Sequence, residues 1–205
     1  MNAINKDFQK SSLGGQLKAE LTRKSIHLSI ALVPVLAACD RSNTALLLFG
    51  GIFFYVCAES LRFLGFSLPL VSSVTAAVSR NREQGRFVLA PVTLGLGALL
   101  ALLLFPPPVA AAAIYALAFG DSASAIVGRS LGRIRLAFLC GKSLEGILSC
   151  SIASALSGYL VFQDMKMAFV VGFTSLVVDA LPLRDYDNLL FPLAVGFAAL
   201  VFQSL

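Results

Sequence analysis

The distribution of positive charge constrains this chain more than any other feature. Apolar stretches fill residues 25–39, 44–58, 87–105, 109–127, 144–163, 166–182 and 188–205. Of the 16 lysines and arginines, 14 lie in the N-terminal arm and in the gaps after the second, fourth and sixth stretches, and the others are Arg41 and Lys166. Because short basic loops stay on the cytoplasmic side of a membrane, the pattern predicts seven transmembrane helices with the N-terminus cytoplasmic and the C-terminus outside.

The composition predicts an all-α integral membrane protein. Hydrophobic residues make up 58% of the 205 residues and charged residues 13%, whereas soluble domains carry about 25% charged residues. Seven spans of about 20 residues leave no room for a soluble domain, so we expect a flexible polar arm at residues 1–19 and a single helical membrane domain at residues 20–205. Anionic lipid headgroups and the topology bias explain the net charge of +5, so no nucleic-acid partner is expected.

The first charged cluster precedes the first apolar stretch. It consists of Glu20, Arg23, Lys24 and His27. These residues fall within an arc of about 100° on one helix face. Turned into the mouth of a helix bundle, they would bind phosphate beside a carboxylate. The alternative is a charged helix end whose cations set the topology.

Two further charged groups flank the second and third stretches. Glu59 and Arg62 are three residues apart, a spacing that also suits a helix-stabilising pair. Arg82 and Glu83 precede the third stretch, near the end of residues 70–82, whose apolar spacing favours a helix lying in the membrane interface. Because all four residues share the predicted cytoplasmic side with the other clusters, we include them as candidate phosphate-binding residues.

The segment FGDSASAIVGRSLG places Asp121 inside an apolar span. An ionisable group in such a position is by default a functional one, and its hard oxygen suits Mg²⁺. The neighbouring glycines allow close backbone approach, and the arginine between them suits phosphate. The candidates for nucleotide binding here are Gly120, Ser122, Gly128, Arg129 and Gly132. The alternative is close glycine-mediated helix packing with arginines that set the topology.

The segment GKSLEG imitates the end of a Walker phosphate-binding loop. Leu136 stands where that motif needs glycine, so a Walker ATPase is excluded. Lys142 and Glu145 lie at the start of the fifth stretch, where the N–H groups of a helix N-terminus attract phosphate. Gly141, Ser143 and Gly146 complete the candidate phosphate site. Helix capping by Ser143 and Glu145 is the structural alternative.

Aspartates crowd the gap after the sixth stretch. Asp179 and Asp187 are two of three that share this gap with one basic residue. Asp187 and Asn188 stand before the seventh stretch, and a carboxylate with a carboxamide suits a metal-bound nucleotide. Either residue is otherwise the N-cap of that helix, and Pro192 is able to break it.

The order of these motifs resembles the CTP-dependent lipid-alcohol kinases, a family that includes dolichol kinase, phytol kinase and yeast-type diacylglycerol kinase. The resemblance runs from Glu20 to about Leu193, and the pair GDSASAIVGRSLG and GKSLEG is its specific part. ELTRKSIH, the Glu59–Arg62 pair and the Asp187–Asn188–Leu189 triplet match further family motifs, and Arg82, Glu83 and Gly85 match one loosely. The family commonly has Glu where this chain has Asp179.

The resemblance implies a kinase that moves the γ-phosphate of CTP, with ATP as the alternative donor, to a lipid alcohol. The acceptor would be a polyprenol, a phytol-like alcohol or diacylglycerol, at the cytoplasmic face of a bacterial inner membrane. Asp121 and Asp187 would hold Mg²⁺ with help from Glu145 or Glu59, while Lys142 and Asn188 would complete the catalytic set. A cytidylyltransferase that makes a CDP-lipid and a non-enzymatic membrane transporter or scaffold are the competing hypotheses.

Overall fold

The computed structural model describes residues 22–66, 75, 87–135, 141–183 and 186–204. Several predictions fall outside these ranges: the flexible arm at residues 1–19, Glu20, Arg82, Glu83 and, except for Thr75, the interfacial helix at residues 70–82. Within the described ranges the chain is helical and contains no strand, only an isolated bridge between Arg135 and Ser143. The all-α prediction is confirmed.

The helices coincide with the apolar stretches of the sequence. The first rod begins three residues before the first stretch and comprises residues 22–28 (α1), a 3-10 turn at Ser29–Ala31 and Leu32–Cys39 (α2). The described residues then form Arg41–Phe63 (α3), Ala90–Leu104 (α4), Pro107–Tyr115 (α5), a π-helical segment at Ala116–Asp121, Ser122–Ser130 (α6), Leu144–Phe162 (α7), Met165–Ala180 (α8) and Asp187–Gln203 (α9). Since α5, the π-helical segment and α6 form one continuous rod, each stretch corresponds to one helical rod.

Successive rods run in opposite directions. At the start of α3, the Arg41 guanidinium donates to the carbonyl oxygens of Leu102 and Phe105 at the end of α4. Near the end of α3, the Glu59 carboxylate accepts from the backbone N–H of Val88, just before α4, at 3.1 Å. A short connection likewise makes α7 and α8 antiparallel. The starts of α1, α4, α7 and α9 and the ends of α3, α6 and α8 therefore share one end, called the charged end below.

Among the described residues, three helical stretches are long and apolar enough to cross a membrane: Arg41–Arg62, Pro107–Ser130 and Leu144–Phe162. Ala90–Leu104 and Asp187–Gln203 are apolar but shorter. Large apolar side chains lie exposed on the outside of the bundle, as at Leu47 and Ile152. Extensive exposed apolar surface of this kind suits contact with lipid, which is compatible with a membrane protein.

Small residues let the helices approach closely in the interior. Ala98, Ala101, Ala112 and Ala113 are fully buried where α4 and α5 pack, and small interfaces of this type are typical of membrane bundles. The result is a tightly packed scaffold on which the polar residues of the charged end are held.

Two local expectations about α9 are wrong. The N-cap is Tyr186 rather than Asp187 or Asn188, and it makes no side-chain capping bond. Pro192 lies inside the helix and does not end it. Proline lacks the N–H that would bond to the carbonyl four residues earlier, which is that of Asn188. Gly97 of α4 leaves room for this carbonyl, since a β-carbon there would collide with it.

Candidate functional site

Asp121 stands at the end of the π-helical segment, at a point where the backbone is irregular. A π turn changes the carbonyl pattern of a helix and is frequent at functional sites; here the Ser154 hydroxyl donates to the carbonyl oxygen of Ala116 at 3.4 Å. Gly120 lets the segment lie directly on α7, because a β-carbon would collide with the Ser154 hydroxyl and lie 3.1 Å from Cys150 Sγ. Close packing therefore fixes the backbone that carries Asp121.

Two side chains of α1 reach Asp121. The Lys24 ammonium donates to its carboxylate, and His27 Nε2 lies 3.3 Å from Asp121 Oδ2. His27 Nε2 also lies 3.4 Å from the carbonyl oxygen of Leu117. Both neighbours are acceptors, so we assign a proton to Nε2, which then donates. Since Lys24 is 4% exposed and His27 6%, the cluster is shielded from water.

A second pair joins Lys142, whose side chain is 36% exposed, to the buried Asp179 at the end of α8. The Lys142 ammonium donates to Asp179 Oδ1 at 2.7 Å and to the Asp179 carbonyl oxygen at 2.6 Å. The other carboxylate oxygen, Oδ2, accepts from the Ser124 hydroxyl at 2.7 Å. Asp179 is 3% exposed, and a carboxylate buried to this degree depends on such partners.

The two pairs belong to one site. Both lysines meet the same rod, since Lys24 bonds Asp121 and Lys142 bonds the carboxylate to which Ser124 donates. Ser124, which bonds Asp179, lies one helical turn after Asp121 on the same rod. The Cys150 thiol is within electrostatic range of both carboxylates. Two lysines and two aspartates balance in charge, which is how ionisable groups are accommodated within a membrane bundle.

Glu59 and Arg62 form a separate network. Glu59 is fully buried and accepts two hydrogen bonds from the Arg62 guanidinium, at 2.7 and 2.8 Å. It also accepts from the Val88 N–H at 3.1 Å and the Thr75 hydroxyl at 3.3 Å. These bonds connect the end of α3 to the residues before α4. This is a structural role, and the three-residue spacing of Glu59 and Arg62 also predicted a helix-stabilising pair. Phosphate binding by the pair stays a prediction.

The glycines of the predicted phosphate loops lie in tight packing. A β-carbon on Gly146 would lie 2.8 Å from the Ser124 carbonyl oxygen and 3.1 Å from Gly128 Cα. One on Gly128 would lie 3.1 Å from the Ser143 hydroxyl, and one on Gly132 would lie 2.7 Å from Ser143 Cβ. The end of α6, the following loop and the start of α7 are thus in direct contact. This agrees with the alternative interpretation of these glycines, which was close helix packing.

Ser143 and Gly141 shape the chain around Lys142. The Ser143 hydroxyl caps α7 by accepting from the Gly146 N–H at 3.1 Å. Gly141 has a φ of +89°, and a β-carbon added to it would meet nothing within 4 Å, so it serves the turn and not the packing. A left-handed residue and a helix cap therefore enclose the lysine that reaches Asp179.

The predicted metal ligands are not brought together as one group in the described residues. Glu145 accepts from the backbone N–H groups of Arg133 and Ile134, at 3.0 and 3.1 Å. Asp187 accepts from the backbone N–H of Asn188 at 2.9 Å. Across the described ranges, no cluster of three or more His, Cys, Asp or Glu side chains is arranged to hold a metal ion.

Three other predicted residues stand at the charged end. Ser122, next to Asp121, is 3% exposed, and its hydroxyl has no hydrogen-bond partner within the described part of the chain. Arg23 is half-buried and Arg129 exposed, and both interact with neighbouring groups.

The donor set of Asp121 and Asp179 fits a magnesium ion. Mg²⁺ is usually held by one or two carboxylates together with substrate phosphates and water, and not by an all-protein cage. Both aspartates offer hard oxygens, and the rod that carries Asp121 also carries Ser124, which bonds Asp179. Glu145 instead bonds the backbone of Arg133 and Ile134, so Asp179 is the second candidate beside Asp121.

Asp179 and Ser124 are the site residues that sequence reasoning did not assign. Asp179 interrupts the apolar run VVDALP, and a carboxylate within an apolar run is the same signal that identified Asp121. Asp179 was instead grouped with the aspartates of the loop that follows. Ser124 carries no signal of its own, because serines are common within the small-residue segment around it.

Comparisons of this chain with protein-family models, with curated proteins and with solved structures give no match. The function is therefore argued from the geometry of the site together with the motifs of the sequence.

Proposed function

We propose that this protein is a membrane kinase that transfers the γ-phosphate of a nucleoside triphosphate to the hydroxyl of a lipid alcohol. The observation that carries the proposal is that two lysine–aspartate pairs, Lys24 with Asp121 and Lys142 with Asp179, meet the same helical rod at a partly buried site. The motif resemblance favours CTP as donor and a polyprenol, a phytol-like alcohol or diacylglycerol as acceptor. The products are then CDP and a lipid monophosphate.

Paired lysines and carboxylates suit phosphoryl transfer, which depends mainly on positioning and on neutralising charge. Without substrate, the pairs keep the buried charges balanced. When phosphate oxygens enter, Lys24 and Lys142 turn toward them, because a lysine has a flexible stem and three donor hydrogens. Asp121 and Asp179 are then available to hold Mg²⁺, which when bound neutralises further phosphate charge.

The reaction exchanges one phosphorus–oxygen bond for another and transfers one proton. The hydroxyl oxygen of the lipid bonds to the γ-phosphorus, the bond from this phosphorus to the β-phosphate oxygen breaks, and the hydroxyl proton passes to a carboxylate of the site. His27 does not receive the proton at Nε2, since that nitrogen already faces two acceptors. We assign His27 to the positioning of Asp121.

The proposal includes an arrangement in the membrane. All seven helical rods cross the bilayer, with the N-terminus cytoplasmic and the C-terminus outside, so that the charged end faces the nucleotide supply. We assign the charged end to the cytoplasmic side because 14 of the 16 lysines and arginines lie in the segments predicted to be on that side. A bacterial inner membrane is the proposed location. The lipid hydroxyl enters laterally at the inner leaflet, because drawing its tail into water costs about 0.8 kcal/mol per methylene.

One experiment separates this proposal from its rivals. Purified full-length protein is incubated with Mg²⁺, a panel of lipid alcohols and phosphatidic acid, and each nucleoside triphosphate labelled at the γ-phosphate. We expect label in a lipid monophosphate and release of CDP, both lost in the Asp121→Asn variant. Label in pyrophosphate with formation of a CDP-lipid would identify a cytidylyltransferase. Folded protein that moves label to neither product would leave the lysine–aspartate pairs with a packing role only.

A further inference from the structure

The loop after α6 presents charge and apolar surface that the proposed reaction does not use. Residues 131–135, called the Arg133 loop below, read Leu-Gly-Arg-Ile-Arg. Leu131 is 64% exposed and Ile134 51%, while Arg133 and Arg135 are exposed beside them. Large apolar side chains alternating with arginines on one exposed loop are unfavourable in water alone.

The Arg133 loop is held firmly in this form. The Glu145 carboxylate accepts from the backbone N–H groups of Arg133 and Ile134, at 3.0 and 3.1 Å. The backbone N–H of Leu144 donates to the Ile134 carbonyl oxygen at 2.9 Å, and Arg135 forms an isolated bridge with Ser143. These bonds join the loop to the start of α7, so its side chains are fixed outward by the backbone.

The loop lies at the level where phospholipid headgroups are found. The rod that precedes it, Pro107–Ser130, has 24 residues and is therefore roughly 35 Å long. A bilayer hydrocarbon core is about 30 Å thick, so a rod that spans it ends in the interface. The loop begins directly after that end.

We propose that the Arg133 loop binds the phosphate of an anionic phospholipid, with Leu131 and Ile134 inserted at the boundary of the acyl chains. Charge complementarity supports this occupant, since residues 129–135 contain three arginines and no acidic residue. The guanidinium fork matches phosphate oxygens, basic residues at the inner leaflet attract anionic lipids, and interfacial segments insert apolar side chains beside them. This site concerns the membrane, and the proposed reaction uses neither Arg133 nor Arg135.

Fluorescence offers a direct test because the chain contains no tryptophan. A Leu131→Trp variant of the full chain is placed in vesicles of phosphatidylcholine and phosphatidylglycerol in equal amounts, with bromine on the acyl chains of one lipid or the other. We expect stronger quenching by brominated phosphatidylglycerol, with a preference on the order of fivefold for each arginine. Ile134→Trp serves as a second reporter. Leu156→Trp, on the outside of α7 at a position 58% exposed, is the control and should be quenched equally by both lipids.

The arginines are tested in the same background. Adding Arg133→Gln and Arg135→Gln to Leu131→Trp should reduce the preference to that of the Leu156→Trp control while quenching by phosphatidylcholine persists. The proposal is overturned by equal quenching in the unsubstituted loop, by no quenching at all, or by a preference that survives both glutamines. Loss of the preference in inorganic phosphate, at matched ionic strength, would assign the loop to soluble phosphate instead. None of these readings requires catalysis, so the proposed function stands or fails separately.

Discussion

Lys142 bonds to two oxygens of one residue, lying 2.7 Å from Asp179 Oδ1 and 2.6 Å from the Asp179 carbonyl oxygen. That carbonyl belongs to the last turn of α8, where a helix carries partial negative charge and attracts cations. Ser124, on the rod that carries Asp121, donates to the other carboxylate oxygen of Asp179 at 2.7 Å. Lys142 before α7 and Ser124 thus hold the end of α8 beside the rod that carries Asp121.

Replacing Asp179 with asparagine should lower lipid phosphorylation by on the order of 100-fold, the loss typical of removing one preorganised electrostatic group. The amide keeps the shape and an acceptor for the Ser124 hydroxyl but removes the charge beside Lys142. The initial rate of label transfer, on protein matched for thermal unfolding temperature, measures the effect. Ser175→Ala is the control: it lies one turn earlier on α8, is fully buried and has no hydrogen-bond partner among the described residues. A normal rate in Asp179→Asn would remove Asp179 from the site.

The Lys24–Asp121 pair should affect stability and activity in separable ways. Asp121→Asn leaves a lysine whose side chain is 6% exposed without its counter-ion, and breaking a buried pair costs about 3–5 kcal/mol. The double variant Lys24→Met, Asp121→Asn should recover much of this loss, because no unpaired charge is left, yet stay inactive. Thermal unfolding and label transfer on all three proteins measure both quantities. An active double variant would show that the pair serves packing alone.

Replacing Glu59 with glutamine should destabilise the protein without reducing the rate per folded molecule. The change weakens the charged bonds to the Arg62 guanidinium, and such bonds contribute about 1.5–3 kcal/mol. Thermal unfolding reports the loss, and Thr75→Val, which removes only the 3.3 Å bond, should have a smaller effect. A lower rate at unchanged stability would instead favour the predicted phosphate-binding role of Glu59.

Replacing Gly120 with alanine should destabilise the protein by about 1–3 kcal/mol, the usual cost of overpacking. The new β-carbon would collide with the Ser154 hydroxyl, so adding Ser154→Ala should restore part of the loss. Gly51→Ala is the matched control, since nothing lies within 4 Å of the added carbon there. Its stability should be unchanged or higher by up to about 1 kcal/mol, because alanine favours a helix over glycine.

Reporter fusions test the proposed topology. A reporter active only in the cytoplasm should be active when fused before Met1 and inactive when fused after Leu205. A second reporter, active only outside the cytoplasm, should give the opposite pattern. Cytoplasmic activity at both ends would mean an even number of spans.

The helices and the polar residues that interrupt them could be predicted from the sequence. The stretch at residues 109–127 corresponds to the rod Pro107–Ser130, and that at 144–163 to Leu144–Phe162, because hydrophobicity over a membrane-length window is a local property of the chain. Asp121 could also be predicted as a site residue, because a carboxylate within an apolar run has a large free-energy cost unless a partner compensates for its charge. Ser143 was readable as a cap for the same local reason.

Which charged side chains pair depends on how the helices pack and could not be predicted from the sequence. Lys142 and Asp179 are 37 residues apart, and Lys24 and Asp121 are 97 apart, so their pairing depends on which helices are neighbours and at what depth each side chain stands. Glu145, which shares the GKSLEG motif with Lys142, instead bonds the backbone of Arg133. Side chains on neighbouring turns of one helix contact different neighbouring helices. Which helix each side chain contacts depends on many weak packing contacts between small residues, and these contacts leave no pattern in the local sequence.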